Sequence, residues 1–345
     1  MLKVKGIQNL TKISRVKLIL MGIAFALILV LTYAPYFLSR YYLWILQTII
    51  IMATLSMSWY FFSGLTKYIT LGSAAFTGIG LYFMAVYFDF LERQRISPPH
   101  PAIIILPGIL VAGLICFALA LAIGSVALRL KGIYFAIATF GASTLVIGII
   151  SWWQTRASVF QIPIPVKYLN PTLVYYTILA TSLAVLLLIA FMCRSKFGLA
   201  LRMIGESEDA ATHVGVNTSL YKIIGFAVSA MCMGLVGAGS TIKYPTMNVQ
   251  LAFDVIQYSF MPAVMTLLGG IGSAYGPIIG AVTMSLLNEY IRMNYSQYYL
   301  TIYGSLLVVI ILFMPSGITG IVGKLKATKL TWRKKLAIKA PKMPP

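Results

Sequence analysis

Hydrophobic residues in this chain come in long unbroken blocks. Runs of spanning length lie near 18–37, 41–62, 70–90, 102–128, 132–151, 172–192, 221–242, 255–270, 276–292 and 298–321. A bilayer core needs about 20 consecutive apolar residues per helix, and a helix that is apolar all round belongs in lipid or deep inside a protein. The pattern therefore predicts an all-α polytopic membrane protein with about ten transmembrane helices. Two blocks are interrupted. Residues 63–70 include Gly64 and Lys67, and residues 245–262 hold Asp254 among polar and aromatic side chains. Broken or re-entrant helices are expected at both places, and backbone released from a helix in lipid must be buried in protein or line a wet cavity. Both breaks are thus candidates for a transport path.

Composition supports the same solvent: 60% of residues are hydrophobic, 10% are charged and the mean hydropathy is +0.90, where soluble domains carry about a quarter charged residues. The 27 Lys and Arg against 7 Asp and Glu raise the idea of nucleic acid binding. Topology accounts for the excess instead. Ten crossings put both termini on one side, and with that side cytoplasmic only Arg40, Arg93, Arg95, Arg156, Lys167, Lys243 and Arg292 lie outside, leaving 20 of the 27 basic residues inside. That is the usual positive-inside bias, and no nucleic acid partner is expected.

Three regions follow: a basic cytoplasmic tail at 1–17, a transmembrane domain at 18–321 and a second basic tail at 322–345. The first apolar run is long for a signal peptide and has no small-x-small cleavage site before Pro35, so it reads as a retained span. In the C-terminal tail, basic residues alternate with Leu325, Leu330, Trp332, Leu336 and Ile338. Such a segment suits an anionic lipid leaflet, or serves only as a solvated topology signal. Cys116, Cys193 and Cys232 are scattered without disulfide or metal-ligand spacing, so neither a cofactor nor a metal is expected. Small residues recur within the spans, as helix packing in lipid requires.

The longest polar interruption, 194–222, holds Glu206, Glu208 and Asp209, three of the seven acidic residues. Phe197, Leu201, Ile204, Glu208 and Ala211 recur at helical spacing on one mainly apolar face, while Arg202, Glu206, Asp209 and His213 fall elsewhere, and Gly215 is placed to stop the helix. Such a platform fits a groove on another protein or rests on lipid as an amphipathic linker.

Four blocks resemble the LivM-type permeases, the membrane subunits of ATP-binding-cassette importers for branched-chain amino acids. They are Ser195-Lys196-Phe197-Gly198 with Leu201-Arg202, Ile204, Glu206, Glu208, Ala210-Ala211, Gly215 and Tyr221-Lys222; Leu71-Gly72-Ser73-Ala74-Ala75-Phe76 with Gly78, Gly80 and Tyr82; Arg129-Leu130-Lys131-Gly132-Ile133-Tyr134-Phe135-Ala136-Ile137 with Thr139; and Leu268-Gly269-Gly270-Ile271-Gly272 with Gly276-Pro277 and Gly280-Ala281. The resemblance implies a plasma-membrane protein working with two ATP-binding subunits, a second, LivH-like permease subunit and an extracytoplasmic substrate-binding protein. It makes the polar loop a coupling helix: Gly198 and Gly215 give it turns, Ala210 and Ala211 allow close docking, and Arg202, Glu206 and Glu208 orient the ATPase. It also places Gly72, Phe76, Tyr82, Tyr134 and Thr139 on the solute path. The sequence departs from the family pattern at Ser73, where His is usual, at Thr144, where Glu is usual, and in the segment SWWQTRASVFQIPIP, which replaces a Thr-Gly-Gly run. These departures leave another amino acid, urea or a short amide, or a small organic anion open as the solute.

The chain has no G-x-x-x-x-G-K-[ST] loop, so it is expected to be a transporter subunit and not an enzyme. An ion-coupled secondary transporter is the main alternative, yet such proteins rely on ionisable groups deep in the bilayer, and Asp89, Asp254 and Glu289 map near span ends. A membrane enzyme is disfavoured because His100 and His213 fall on opposite sides and no H-E-x-x-H or paired-carboxylate motif occurs.

Overall fold

The computed structural model describes residues 29–95 and 100–298 and, beyond these, 301, 302, 304, 305, 308 and 317–320. It divides into two units, Met1–Leu46 and Gln47–Pro345. The first contains α1 (29–37), a bend at Leu38 and the opening residues of α2 (Arg40–Trp59). The second carries the rest of the architecture.

Among the described residues, seven helical stretches are long and apolar enough to cross a membrane. They are α2 with the π-helical turn Tyr60–Gly64 that extends it, α3 (Ser73–Arg93), α4 (Ala102–Ala127), α5 (Ile133–Arg156), α6 (Pro171–Arg194), α9 (Thr218–Ser240) with its 3₁₀ extension, and the segment Val249–Gly269. Between α6 and α9 lie two short helices, α7 (Lys196–Glu206) and α8 (Glu208–His213). The seven stretches match the second to eighth expected spans. The ninth run forms α12 (Gly276–Asn294), a 19-residue helix outside that set of seven. Most of the first and tenth runs, and both basic tails, lie outside the described residues, so the tally of ten and the side of the termini rest on segments not described. A small departure from all-α is a two-stranded antiparallel ribbon pairing Ile162 with Met247 and Pro163 with Thr246. It lets two long connections satisfy part of their backbone on each other.

The middle of the bundle is α9, packed along α3 and α4. A side chain at Gly237 would collide with the carbonyl of Thr77 on α3, and the absence of one lets the two backbones meet, the usual means of helix association where no water drives it. Hydroxyls add specific ties: Ser229 of α9 donates to the Ser58 carbonyl at 2.7 Å, and Thr266 donates to the Ser56 carbonyl at 3.0 Å. Both acceptors lie on α2 just before its π turn.

Both expected interruptions are present. Shortly after the π turn of α2 the chain leaves helical geometry, with Lys67 at φ 60°, and runs without regular secondary structure to Gly72. Its polar backbone is nevertheless met from nearby: Thr70 N donates to Ser63 Oγ, Gly72 N to Thr70 Oγ1, Leu71 N to Thr139 Oγ1, and the Thr70 carbonyl accepts from the Trp59 indole at 2.9 Å. The second break resolves into α10 (Val249–Ala252), a π turn at Ile256–Phe260 and α11 (Met261–Gly269). Asp254 caps the π turn by accepting from Gln257 N, so its carboxylate serves the backbone at the break.

Candidate functional site

Residues 194–217 fold into two helices where the sequence pattern predicted one. Ser195 starts α7, its hydroxyl accepting from Gly198 N. Ser207 then adopts an extended conformation, ends α7 and caps α8 by accepting from Ala210 N. A serine side chain that competes for nearby backbone N–H groups favours such a boundary. Gly215, at φ 90°, closes the unit as expected.

The expected apolar face is real: Leu201, Ile204 and Ala211 are buried, and Phe197 packs between Phe61 and Tyr221. Gly205 lies flat on the end of the first broken span, where any side chain would strike the Leu65 carbonyl. Arg202, Glu206, Asp209, Ala210 and Gly215 point outward. Two residues expected to meet a partner face inward instead. Ala211 is 1% exposed and packs inside its own chain, and Glu208 turns inward as well. The break at Ser207 restarts the helix at Glu208 and points its first side chain down toward the bundle. Gly198 is buried at the α6–α7 turn, where a Cβ would press on Met192 and Cys193 backbone.

Glu208 meets two residues for which the sequence pattern predicted no role, although Lys222 stands in one of the motif blocks. Tyr68 Oη donates to Glu208 Oε2 at 2.7 Å, and Lys222 Nζ donates to Glu208 Oε1 at 2.5 Å and to Tyr68 Oη at 3.3 Å. The ammonium also lies 4.8 Å from the centroid of the Tyr68 ring, a favourable cation–π distance. Lys222 and Glu208 side chains are 5% and 22% exposed. Burial works against the charge on Glu208, but the hydrogen bonds from Lys222 and Tyr68, with the charges of Lys222 and Lys131, outweigh it and hold the carboxyl below its ordinary range. Burial and the neighbouring carboxylate push the Tyr68 phenol well up, which keeps it a proton donor. The available signal was a lysine at the edge of an apolar run, a position that calls for a buried counter-charge.

Deeper in the bundle the candidate path residues divide. Gly72 sits against α5, where a Cβ would come within 2.7 Å of the Thr139 carbonyl oxygen, and Thr139 is buried. Phe76 is buried against Phe226. Tyr82 lies between Trp153 and Phe253, its hydroxyl buried without a hydrogen-bond partner among the described residues. Ser73, Thr77 and Ser143 hold further buried, unpartnered hydroxyls on α3 and α5 among the described residues. Tyr134 departs from this group: it is 68% exposed because the first turn of α5 buries the neighbouring Phe135 instead.

These features define a multi-pass helical membrane protein with two broken spans, a hydroxyl-bearing interior and an anchored surface platform. The chain belongs to the family of branched-chain amino acid transport system permease components, whose model matches residues 41–314. Among curated proteins it is similar to the high-affinity branched-chain amino acid transport system permease protein LivM of Salmonella typhimurium, 25% identical over 290 residues, covering 74% of this chain and 64% of the relative. It also resembles LivH, a permease protein of the same kind of system in Escherichia coli K12, 30% identical over 146 residues, 41% of this chain and 46% of the relative. The D-allose transport system permease protein AlsC of the same organism is 24% identical over 158 residues, 44% of each chain. The chain thus spans just under two thirds of the LivM relative and less than half of the other two. No solved structure matches it.

Proposed function

We propose that this chain is the membrane-spanning permease subunit of an ATP-binding-cassette importer in the plasma membrane, moving a branched-chain amino acid or a related polar solute inward. One of two separate ATP-binding subunits docks on the cytoplasmic platform α7–α8, and a second permease subunit and an extracytoplasmic binding protein complete the assembly. The observation that carries this reading is the two-sided platform. Its outer face presents Arg202, Glu206 and Ala210 to solvent, while its inner face is fixed to the bundle by Leu201, Ile204, Ala211 and the Glu208–Lys222 pair. A surface helix that is anchored below and bare above is suited to transmit force from a docked partner.

The solute path is assigned to the seam between α3 and α5 beside the second break, lined by Gly72, Thr139, Tyr82 and the hydroxyls of Ser73, Thr77 and Ser143. Hydroxyls with open hydrogen-bonding capacity receive a polar or zwitterionic solute without demanding a fixed counter-charge. Against an ion-coupled mechanism, Asp254 is committed to the backbone of its π turn and Asp89 pairs with Arg93 at 2.9 Å.

The test is gentle detergent purification of the tagged chain from its own cells. ATP-binding chains should co-purify, and Ala210→Trp, on the exposed face, should abolish their retention while the chain itself stays monodisperse. A monodisperse native chain that brings down no ATP-binding chain refutes the reading.

A further inference from the structure

We infer that Tyr68, Glu208 and Lys222 form a mechanical latch that passes motion of the platform to the broken span between α2 and α3, which makes Tyr68 a positioning residue for transport. The inference rests on the importer reading proposed above. Three separate stretches of chain meet at one carboxylate: Glu208 opens α8, Lys222 sits near the start of α9, and Tyr68 belongs to the irregular segment after the π turn. Each oxygen of Glu208 has its own donor, Tyr68 Oη at 2.7 Å and Lys222 Nζ at 2.5 Å, and the third side of the triangle closes at 3.3 Å. Bonds to a charged acceptor in a largely buried position are short, directional and stronger than neutral ones, so the segment follows the helix that holds it.

What the latch pulls on distinguishes it from a simple staple. Beyond Tyr68, the same irregular stretch reaches the candidate path within a few residues. Leu71 N donates to Thr139 Oγ1, Gly72 abuts the Thr139 carbonyl, and Ala74 N, at the start of α3, donates to Ser259 Oγ in the second break. The Tyr68 ring also packs edge-on against Phe135 of α5, with centroids 5.6 Å apart. A shift of α8 therefore has a covalent and hydrogen-bonded route to α3, α5 and the second π turn at once. Non-helical backbone moves at lower cost than a helix because its hydrogen bonds go to side chains and not to an i−4 ladder. The irregular segment is thus the compliant element, and the carboxylate is its handle. Lys67, next to the latch and exposed, reports on the segment from solvent.

The experiment uses the whole transporter, purified with its ATP-binding subunits, carrying Lys67→Cys. The native cysteines Cys116, Cys193 and Cys232 are buried, and the readout is the rate of labelling by a bulky water-soluble maleimide with and without ATP. This readout requires no knowledge of the solute. ATP should change the rate about fivefold in this background, and adding Tyr68→Phe, which deletes one charge-assisted hydrogen bond and keeps the ring, should reduce the change to under about twofold. ATP hydrolysis by the complex should persist. Tyr68→Leu, which removes the hydroxyl and leaves the Glu208–Lys222 pair intact, supplies a second variant with the same expected result. A labelling response to ATP at position 67 that survives both substitutions, or no response before they are added, overturns the latch. Loss of hydrolysis together with the response overturns it too, since that marks general damage. A complex that never retains ATP-binding subunits, by contrast, brings down the importer reading itself.

Discussion

The two ends of the bundle each carry a lysine–glutamate pair of nearly equal length, and they are very different objects. Lys222–Glu208, at 2.5 Å, is largely enclosed and shared with Tyr68. Lys167–Glu92, at 2.6 Å, lies at the opposite end with side chains 38% and 55% exposed, beside a shallow hollow of about 390 Å³ lined also by Asp89, Pro163, Pro165 and Val166. Separation alone says little about what a pair does. An enclosed pair is costly to break because the surviving charge is stranded, whereas an exposed pair exchanges its partner for water at little loss. The first pair holds the platform to the span behind it, and the second only trims a loop.

The largest effect that would sharpen this contrast is expected at Lys222. Lys222→Met leaves the Glu208 carboxylate without its cation and should cost about 3–5 kcal/mol, read as a marked fall in the melting temperature of the detergent-purified chain. Thr139→Val comes next. It removes a buried hydroxyl that accepts from Leu71 N at 3.2 Å and donates to the Ala136 carbonyl at 2.9 Å, and the stranded Leu71 N–H should cost about 1–3 kcal/mol. Lys167→Ala should change stability by no more than about 1 kcal/mol, and moderate salt should erase the difference. A Lys167 effect as large as that at Lys222 would break the comparison.

The smallest effect concerns pH. The carboxyl of Glu208 is held below its ordinary value of 4.5, so its contribution to stability is fully present above that value and is lost as pH falls through the lower folded-state value. Melting curves should therefore show no Glu208 contribution to pH dependence between about pH 6 and about pH 8. An acid-side decline should set in below that range and become shallower in Lys222→Met, which lacks the partner that stabilises the ionised form.

Several features were legible without coordinates. The apolar runs located the seven described spans because a helix in lipid is an all-round hydrophobic object whose length the bilayer sets. Gly64 and Lys67 marked one break and Asp254 the other, since each conflicts with an uninterrupted helix in that setting. The apolar face of the platform was also readable, because Phe197, Leu201, Ile204 and Ala211 keep helical spacing. The direction of Ala211 and Glu208 was not. A docking contact and an anchoring contact ask for the same small or charged residue at the same spacing, and only the bundle beneath shows which is which. Tyr134 and Phe135 teach the same point on α5, where adjacent aromatic residues in one motif end up exposed and buried.

What this sequence determined by itself is therefore the solvent, the run of helices, the positions of the breaks and the family, all of which follow from local hydrophobicity and short motifs. The tertiary structure alone decided that Tyr68 and Lys222, 154 residues apart, close on Glu208, and that Thr139 supports the backbone of the first break. Such contacts depend on how separate spans are arranged in three dimensions, and a one-dimensional pattern of apolar and polar residues does not encode which partner each buried polar group will find.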